Sequence, residues 1–164
     1  MNLLKTSLLA AALFAAAPMA MAGTASASIP VTLTLQNSCG IVAAGVNFGT
    51  VTSLASNIDA AGSVTVTCTS AGTYTVAFNG GTTTGGTMAQ RLLLNGASNT
   101  IQYNLFQDSA RATILGDGTS STATVGGTGN GSAQVYQVYG RVPGGQGAKP
   151  TGVYADSVTA TVTF

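Results

Sequence analysis

The end of the chain carries the feature that most restricts the fold, a regular alternation of apolar residues with threonines. The apolar positions are Val158, Ala160, Val162 and Phe164. Because successive side chains of a β-strand point to opposite faces, this run predicts a strand with one apolar face. A second alternating stretch, 29–35, lies near the opposite end of the chain. Together the two stretches predict a subunit that is completed by another chain.

The rest of the sequence favours an all-β fold of one domain. Helical periodicity is nearly absent after residue 22, and turn-forming residues recur at short intervals. The predicted strands are 29–36, 46–51, 63–69, 73–79, 91–94, 101–107, 133–141 and 156–164. The residues predicted to face the core are Val64, Val66, Cys68, Tyr74, Val76, Phe78, Ile101, Tyr103 and Leu105. The long segment 116–132, rich in Gly, Ser and Thr, predicts a mobile surface loop.

The first 22 residues have the pattern of a secretory signal peptide. Lys5 supplies the positive charge, 8–17 the apolar run, and Ala20 and Ala22 the small residues of a cleavage site. We therefore expect residues 1–22 to be removed and Gly23 to begin the exported protein. The apolar run is too short for a membrane-spanning helix, and we expect no direct membrane insertion.

The charge of the chain argues against several classes of partner. The formal net charge is +1, and loss of Lys5 would bring it to zero. Such a chain lacks the basic surface that binds nucleic acid or anionic lipid. Near-zero charge also removes the repulsion that keeps copies apart, which suits a subunit that associates.

Cys39 and Cys68 are the two cysteines of the chain. In an exported protein an isolated pair is most simply a disulfide. By loop closure such a bond would stabilise the fold by about 3.5 kcal/mol. A zinc site would need four ligands, which two cysteines and no histidine do not supply, so we expect no metal and no other cofactor.

The residue inventory argues against an enzyme. Histidine and glutamate are absent, so the commonest general bases are missing. The four aspartates are scattered and each fits a turn, cap or solvated position better than a catalytic pair. They are Asp59, Asp108, Asp117 and Asp156. Three tyrosines, Tyr136, Tyr139 and Tyr154, would form an aromatic binding patch in a surface-binding protein, although cross-strand packing is the commoner role of such residues.

Several motifs occur in a characteristic order along the chain. An alternating arm precedes Cys39, and Val46-Asn-Phe-Gly-Thr50, Val64-Thr-Val-Thr-Cys68 and Tyr154-Ala-Asp-Ser-Val158 follow it. Tyr103-Asn-Leu-Phe-Gln-Asp108, with Ala110 and Arg111 after it, is similar to a "YNLY-D-AR" segment. In this order the chain resembles the spore coat protein U family, whose members include pilins of archaic chaperone–usher pili such as the Csu pilus.

The resemblance implies an incomplete immunoglobulin-like β-sandwich that lacks its last strand and is completed by a donor strand from a neighbouring subunit. The donor arm would be 23–37 and the pilin domain 38–164, with the family's disulfide at Cys39 and Cys68. The donor-strand anchors would be Ile29, Val31, Leu33 and Leu35. The last strand would line the acceptor groove with Val158, Val162 and Phe164.

The same resemblance implies the partners and the location. These are identical or related pilin subunits in a polymer, a periplasmic chaperone and an outer-membrane usher, with export through the periplasm to the cell surface as a pilus. Adhesion to surfaces and biofilm formation would follow. The alternative is a self-contained secreted coat or surface-binding β-sandwich, in which the arm is simply the first strand of its own sheet.

Overall fold

The computed structural model describes residues 21–69, 71–96 and 98–164, so most of the predicted signal peptide, residues 1–22, lies outside the described residues. Residue contacts divide the chain into two units, 1–34 and 35–164. The strands of the second unit are β1 Cys39–Ala44, β2 Ile58–Cys68, β3 Thr73–Phe78, β4 Arg91–Leu94, β5 Thr100–Phe106, β6 Val125–Thr128, β7 Ala133–Val142 and β8 Ala160–Thr163.

The strands form two sheets, and every pairing within them is antiparallel. The larger sheet has the order β1-β2-β7-β5-β4 and the smaller the order β6-β3-β8. This architecture, all-β and sandwich-like, confirms the predicted fold class. Strands β1 and β8 each end a sheet, so each has one edge that pairs with no other strand of the described residues.

The core lies between the inward faces of the two sheets. All nine residues predicted to face inward are buried, and Val66, Cys68 and Val76 have no exposed surface. Leu115, Val125, Val138 and Val142 complete the buried set. The alternation of β2, β3 and β5 therefore identified the core correctly, because a period of two places every second side chain on one face.

A buried arginine joins the loops above this core. The Arg91 side chain is fully buried, and its N–H groups donate to the carbonyl oxygens of Asn79, Met88 and Leu115 and to Asn104 Oδ1, at 2.6 to 3.3 Å. Burial lowers the pKa of Arg91, and the nearby Tyr103 and Asp156 oppose that shift. Because its donors are satisfied by fixed acceptors, the guanidinium ties three segments of backbone together.

Two of the predicted strands do not form. The structure has no strand at 29–36, since a strand requires a paired neighbour and the alternation alone does not supply one. At 46–51 the backbone turns instead. The Gly49 N–H donates to Asn47 Oδ1 at 2.8 Å, and the φ of +73° at Gly49 ends the extended run. Val46 and Phe48 still pack against the core.

The segment 116–132, expected to be a mobile loop, is anchored by a strand that the sequence did not reveal. Val125 is buried, and β6 pairs with β3. A Cβ at Gly126 would lie 2.5 Å from the Tyr74 carbonyl oxygen, and one at Gly127 would lie 2.8 Å from the Tyr136 hydroxyl. Glycine is therefore required in β6 by close packing, which hides the strand from a propensity argument.

Candidate functional site

The first part of the candidate site is the free edge of β8. Strand β8 pairs with β3 on one side only, and the Asn79 N–H donates to the Thr159 carbonyl at 3.1 Å. Because backbone groups in an antiparallel strand point alternately to the two sides, Thr159, Thr161 and Thr163 face β3. The backbone groups of Val158, Ala160 and Val162 consequently face the free edge.

The second part is the free edge of β1, which pairs only with β2. The Thr69 N–H donates to the Ser38 carbonyl at 2.9 Å, which makes these two residues a hydrogen-bonded pair. By the same alternation, the backbone groups of Cys39, Ile41 and Ala43 point to the free edge of β1.

A disulfide fixes β1 to its neighbour at one end. Cys39 and Cys68 are bonded, and their Cα atoms are 4.0 Å apart. The two residues are opposite one another in the β1–β2 register. They form a non-hydrogen-bonded pair, the close kind of antiparallel pair, which suits a short cross-strand link. The predicted disulfide is confirmed.

Apolar side chains line both free edges. Ile41 on β1 and Val158, Ala160 and Val162 on the last segment are half-buried against the core. Phe164 is 55% exposed. Two of the three residues predicted for the last strand, Val158 and Val162, thus pack against the core, while Phe164 presents a large apolar surface to solvent.

The two edges lie close together. Cα atoms of β1 and β8 approach within 8 Å. A strand placed between two others needs about 9.5 Å, twice the usual interstrand spacing. A strand that enters between β1 and β8 must therefore separate these edges where they are closest.

Open space lies beside the chain that leads into β8. A cavity of about 470 Å³ and an adjoining one of about 960 Å³ lie between the segments 46–58 and 145–156. Their apolar lining comprises Val46, Phe48, Val51, Leu54, Ile58, Leu93, Ile101, Val142, Val153 and Tyr154. This end of the site has room for further side chains without movement of the core.

The four residues predicted as donor anchors are exposed. Ile29, Val31, Leu33 and Leu35 are 82–92% exposed, and none of them lies in a strand. Exposure of four alternating apolar side chains is unusual for a chain that has no further partner.

Sequence reasoning missed the polar contacts that hold the last segment. Asp156 Oδ1 accepts hydrogen bonds from the backbone N–H and hydroxyl groups of Thr82 and Thr83, at 2.9 to 3.1 Å. Asp156 Oδ2 accepts one from the Tyr103 hydroxyl at 2.7 Å. Burial raises the pKa of Asp156, but these hydrogen bonds outweigh it, so the net pKa lies below its ordinary value. The signals in the sequence were the two motifs that contain Tyr103 and Asp156.

The other aspartates have structural partners as well. Asp108 accepts the N–H groups of Ala112 and Thr113, and Asp117 accepts from Thr119. These are the turn roles predicted for them. Asp59, for which a turn, cap or solvated position was predicted, instead lies on β2 and forms an ion pair with Arg141 at 2.7 Å. The backbone pairing of β2 with β7 brings the two charges opposite each other.

The candidate aromatic patch does not assemble. Tyr136 and Tyr139 point to opposite faces of β7, since they are three positions apart along the strand. The Tyr136 hydroxyl lies 2.7 Å from that of Tyr74, and the Tyr139 ring lies under the Arg111 guanidinium at 5.9 Å. Tyr136 thus contacts a strand of the other sheet and Tyr139 an arginine outside the strands, so the two rings do not share a patch.

No metal or membrane-spanning feature stands out in the described part of the chain. Among residues 21–69, 71–96 and 98–164, no group of three His, Cys, Asp or Glu side chains is placed to hold a metal ion. Within the same residues there is no helix long and apolar enough to cross a bilayer.

Comparisons with known proteins agree with this fold. The solved complex of the CsuC chaperone with the CsuE tip adhesion subunit, from archaic chaperone–usher Csu pili of Acinetobacter baumannii, is similar with a TM-score of 0.55 and 24% identity. The match covers 80% of this chain and 40% of that chain. Protein U of Myxococcus xanthus is 35% identical over 183 positions, which cover 100% of both chains. Residues 25–161 match the Spore Coat Protein U domain. The chain therefore belongs to the spore coat protein U family.

Proposed function

We propose that this protein is a structural subunit of an archaic chaperone–usher pilus that polymerises by donor-strand exchange. The observation that carries the proposal is the pair of neighbouring free edges, on β1 and β8, with half-buried apolar side chains between them. Unpaired edges of this kind bind an added strand, whose main chain supplies affinity and whose alternate side chains supply specificity.

The arm 23–37 has the pattern required of the added strand. Its anchors Ile29, Val31, Leu33 and Leu35 occur at every second position and are exposed. Burial of four such side chains in another copy would contribute on the order of 6–12 kcal/mol before ordering costs. Pro30 has no N–H, so the fully paired part of the arm begins at Val31 or the chain bulges at Pro30.

The proposal includes the partners of such a subunit. A periplasmic chaperone would cover the free edges before assembly, and an outer-membrane usher would exchange it for the arm of the next subunit. Membership of the family implies export to the cell surface, where the fibre would support adhesion and biofilm formation.

The test is gel electrophoresis in detergent of the exported protein, unheated and heated, without reductant. We expect an unheated ladder of subunit multiples that collapses to one band on heating, because strand exchange is non-covalent but slow to reverse. Leu33→Asp should remove the ladder, since it would bury an unpaired charge. Thr34→Asp, on the opposite face of the arm, is the matched control and should retain it. An intact ladder with Leu33→Asp would overturn the assignment of Leu33 as an anchor.

The alternative is a self-contained coat or surface-binding protein. The approach of β1 and β8 within 8 Å favours it, because an added strand needs about 9.5 Å between two neighbours. This alternative expects a single monomer band at every temperature, from a protein that folds without a partner and pairs residues 23–37 within its own sheet. Deletion of 23–37 distinguishes the two: the pilus subunit would stop growing as a polymer, and the coat protein would stay monomeric but lose a strand and, with it, stability.

A further inference from the structure

We propose that the Asp156 clamp, made of Asp156, Thr82, Thr83 and Tyr103, positions the last strand to receive the donor arm. This inference rests on the proposed function. It names the group that sets the register of the acceptor edge, which is the free edge of β8. Asp156 is a positioning residue in this reading, since its carboxylate faces the loop at 82–83 and the Tyr103 hydroxyl.

The clamp is unusual for its chemistry. One carboxylate accepts five hydrogen bonds, four of them on Oδ1, and among the described residues neither salt bridge involves Asp156. Hydrogen bonds to an ionised group are stronger than neutral ones, so loss of the charge weakens all five at once. The site therefore binds the last strand through a set of oriented donors.

The backbone at 81 is shaped to admit this carboxylate. Gly81 has a φ of +89°, and a Cβ there would collide with the Asp156 side chain. Its N–H donates to Asn79 Oδ1 at 3.1 Å, which also accepts the Thr159 N–H at 2.9 Å. The loop that follows β3 thus contacts the last segment at Asp156 and again at Thr159.

The clamp lies where the last segment passes from one sheet to the other. On one side of Asp156, Ala155 exchanges two backbone hydrogen bonds with Leu94 of β4, at 2.9 and 3.0 Å. On the other side, Thr159 begins the pairing with β3. Between these two points no ladder hydrogen bond to another described residue fixes the chain, so the side chain of Asp156 does so.

This placement determines which backbone groups the donor meets. A slip of one residue in a strand moves every side chain to the other face. If the segment slipped at Asp156, the backbone groups of Val158, Ala160 and Val162 would turn from the free edge toward β3. The clamp therefore fixes the register of the acceptor edge as well as its position.

A labelled peptide with the sequence of residues 23–37 is added in excess while the full exported chain refolds. The experiment then measures how fast the bound peptide is released from the protein. We expect Asp156→Asn to release the peptide about tenfold faster than wild type, because the charge-assisted bonds are lost. Asp108→Asn is the matched control, because Asp108 also accepts hydrogen bonds from two backbone N–H groups. We expect this variant to release the peptide at a rate within about twofold of wild type. The melting temperature of each variant separates general destabilisation from the effect on the peptide.

Tyr103→Phe removes one of the five hydrogen bonds without altering the last strand. If Asp156→Asn does not fold, this variant tests whether the clamp slows release of the peptide. We expect it to speed release about threefold. Release at the wild-type rate in both folded variants, or an equal change in Asp108→Asn, would overturn the inference and leave the proposed function standing. A wild-type protein that retains no peptide and forms no ladder would instead overturn the proposed function.

Discussion

Strand β2 and the arm 23–37 have the same alternating pattern but opposite surroundings. Val64, Val66 and Cys68 of β2 are buried, and β2 is paired on both sides. Leu33 of the arm is 92% exposed and lies in no strand. Alternation therefore specifies a face that must be buried, whereas the neighbour that buries it depends on tertiary or intermolecular contacts.

The sharpest way to test this comparison is to place the same charge in both segments. Val66→Asp should prevent folding, because a fully buried site would hold an unpaired charge at a cost of several kcal/mol. Leu33→Asp should leave the melting temperature of the monomer unchanged. Thermal unfolding followed by circular dichroism measures both. Equal destabilisation by the two substitutions would contradict the distinction between the segments.

Removal of the disulfide tests how much the link between β1 and β2 contributes to the free energy of unfolding. The double variant Cys39→Ala with Cys68→Ala should lower the free energy of unfolding by about 3.5 kcal/mol, because the unfolded chain regains the entropy of a long loop. The bond joins residues separated by 29 positions. Urea unfolding of the variant and of wild type, without reductant, measures the loss. A difference under about 1 kcal/mol would contradict this loop-entropy account of the bond.

A smaller loss of stability is expected from substitution of a glycine whose added Cβ would collide with a neighbouring atom. Gly126→Ala in β6 should lower the free energy of unfolding by about 1–3 kcal/mol, since its Cβ would lie 2.5 Å from the Tyr74 carbonyl oxygen. Gly40→Ala in β1 is the control, because nothing lies within 4 Å of a Cβ there. Urea unfolding again gives the measurement, and equal effects at both glycines would contradict the packing explanation.

The smallest effect is expected from pH. Hydrogen bonds hold the pKa of Asp59 and that of Asp156 below the ordinary value, the former chiefly through Arg141. A lowered pKa in the folded state stabilises the protein above the unfolded pKa, near 4, and that stabilisation is lost as the pH falls through the folded value. With no His or Glu in the chain, the melting temperature should be nearly constant from pH 5 to 9. A marked change within that interval would contradict this account.

Much of the fold was predictable because it rests on local alternation. The strands β2, β3, β5 and β7 were located within a few residues, apart from an early start of β2, and the inward faces of β2, β3 and β5 were identified. Strands β1 and β6 were missed because neither has a regular alternation of apolar and polar residues, and Val125-Gly-Gly-Thr128 owes its glycines to close contacts with Tyr74 and Tyr136. Those contacts join residues far apart in sequence, and a propensity argument does not contain them.

The candidate site was predictable in part for the same reason. The apolar face of the last strand and the pairing of Cys39 with Cys68 were predicted from the sequence and the resemblance it carries. The edge groups of β1 depend on its pairing with β2, and the Asp156 clamp depends on the path of the loop at 82–83.

The sequence by itself determined the period-two pattern, and with it the all-β class, the core faces and the exposed apolar arm. Only the tertiary structure decided that β1 and β8 end different sheets with their free edges close together, and that a single carboxylate holds the last strand between β4 and β3. The physical reason is that a side chain's face is set by its immediate neighbours along the chain. A free edge or a shared hydrogen-bond acceptor is set by which distant segments meet.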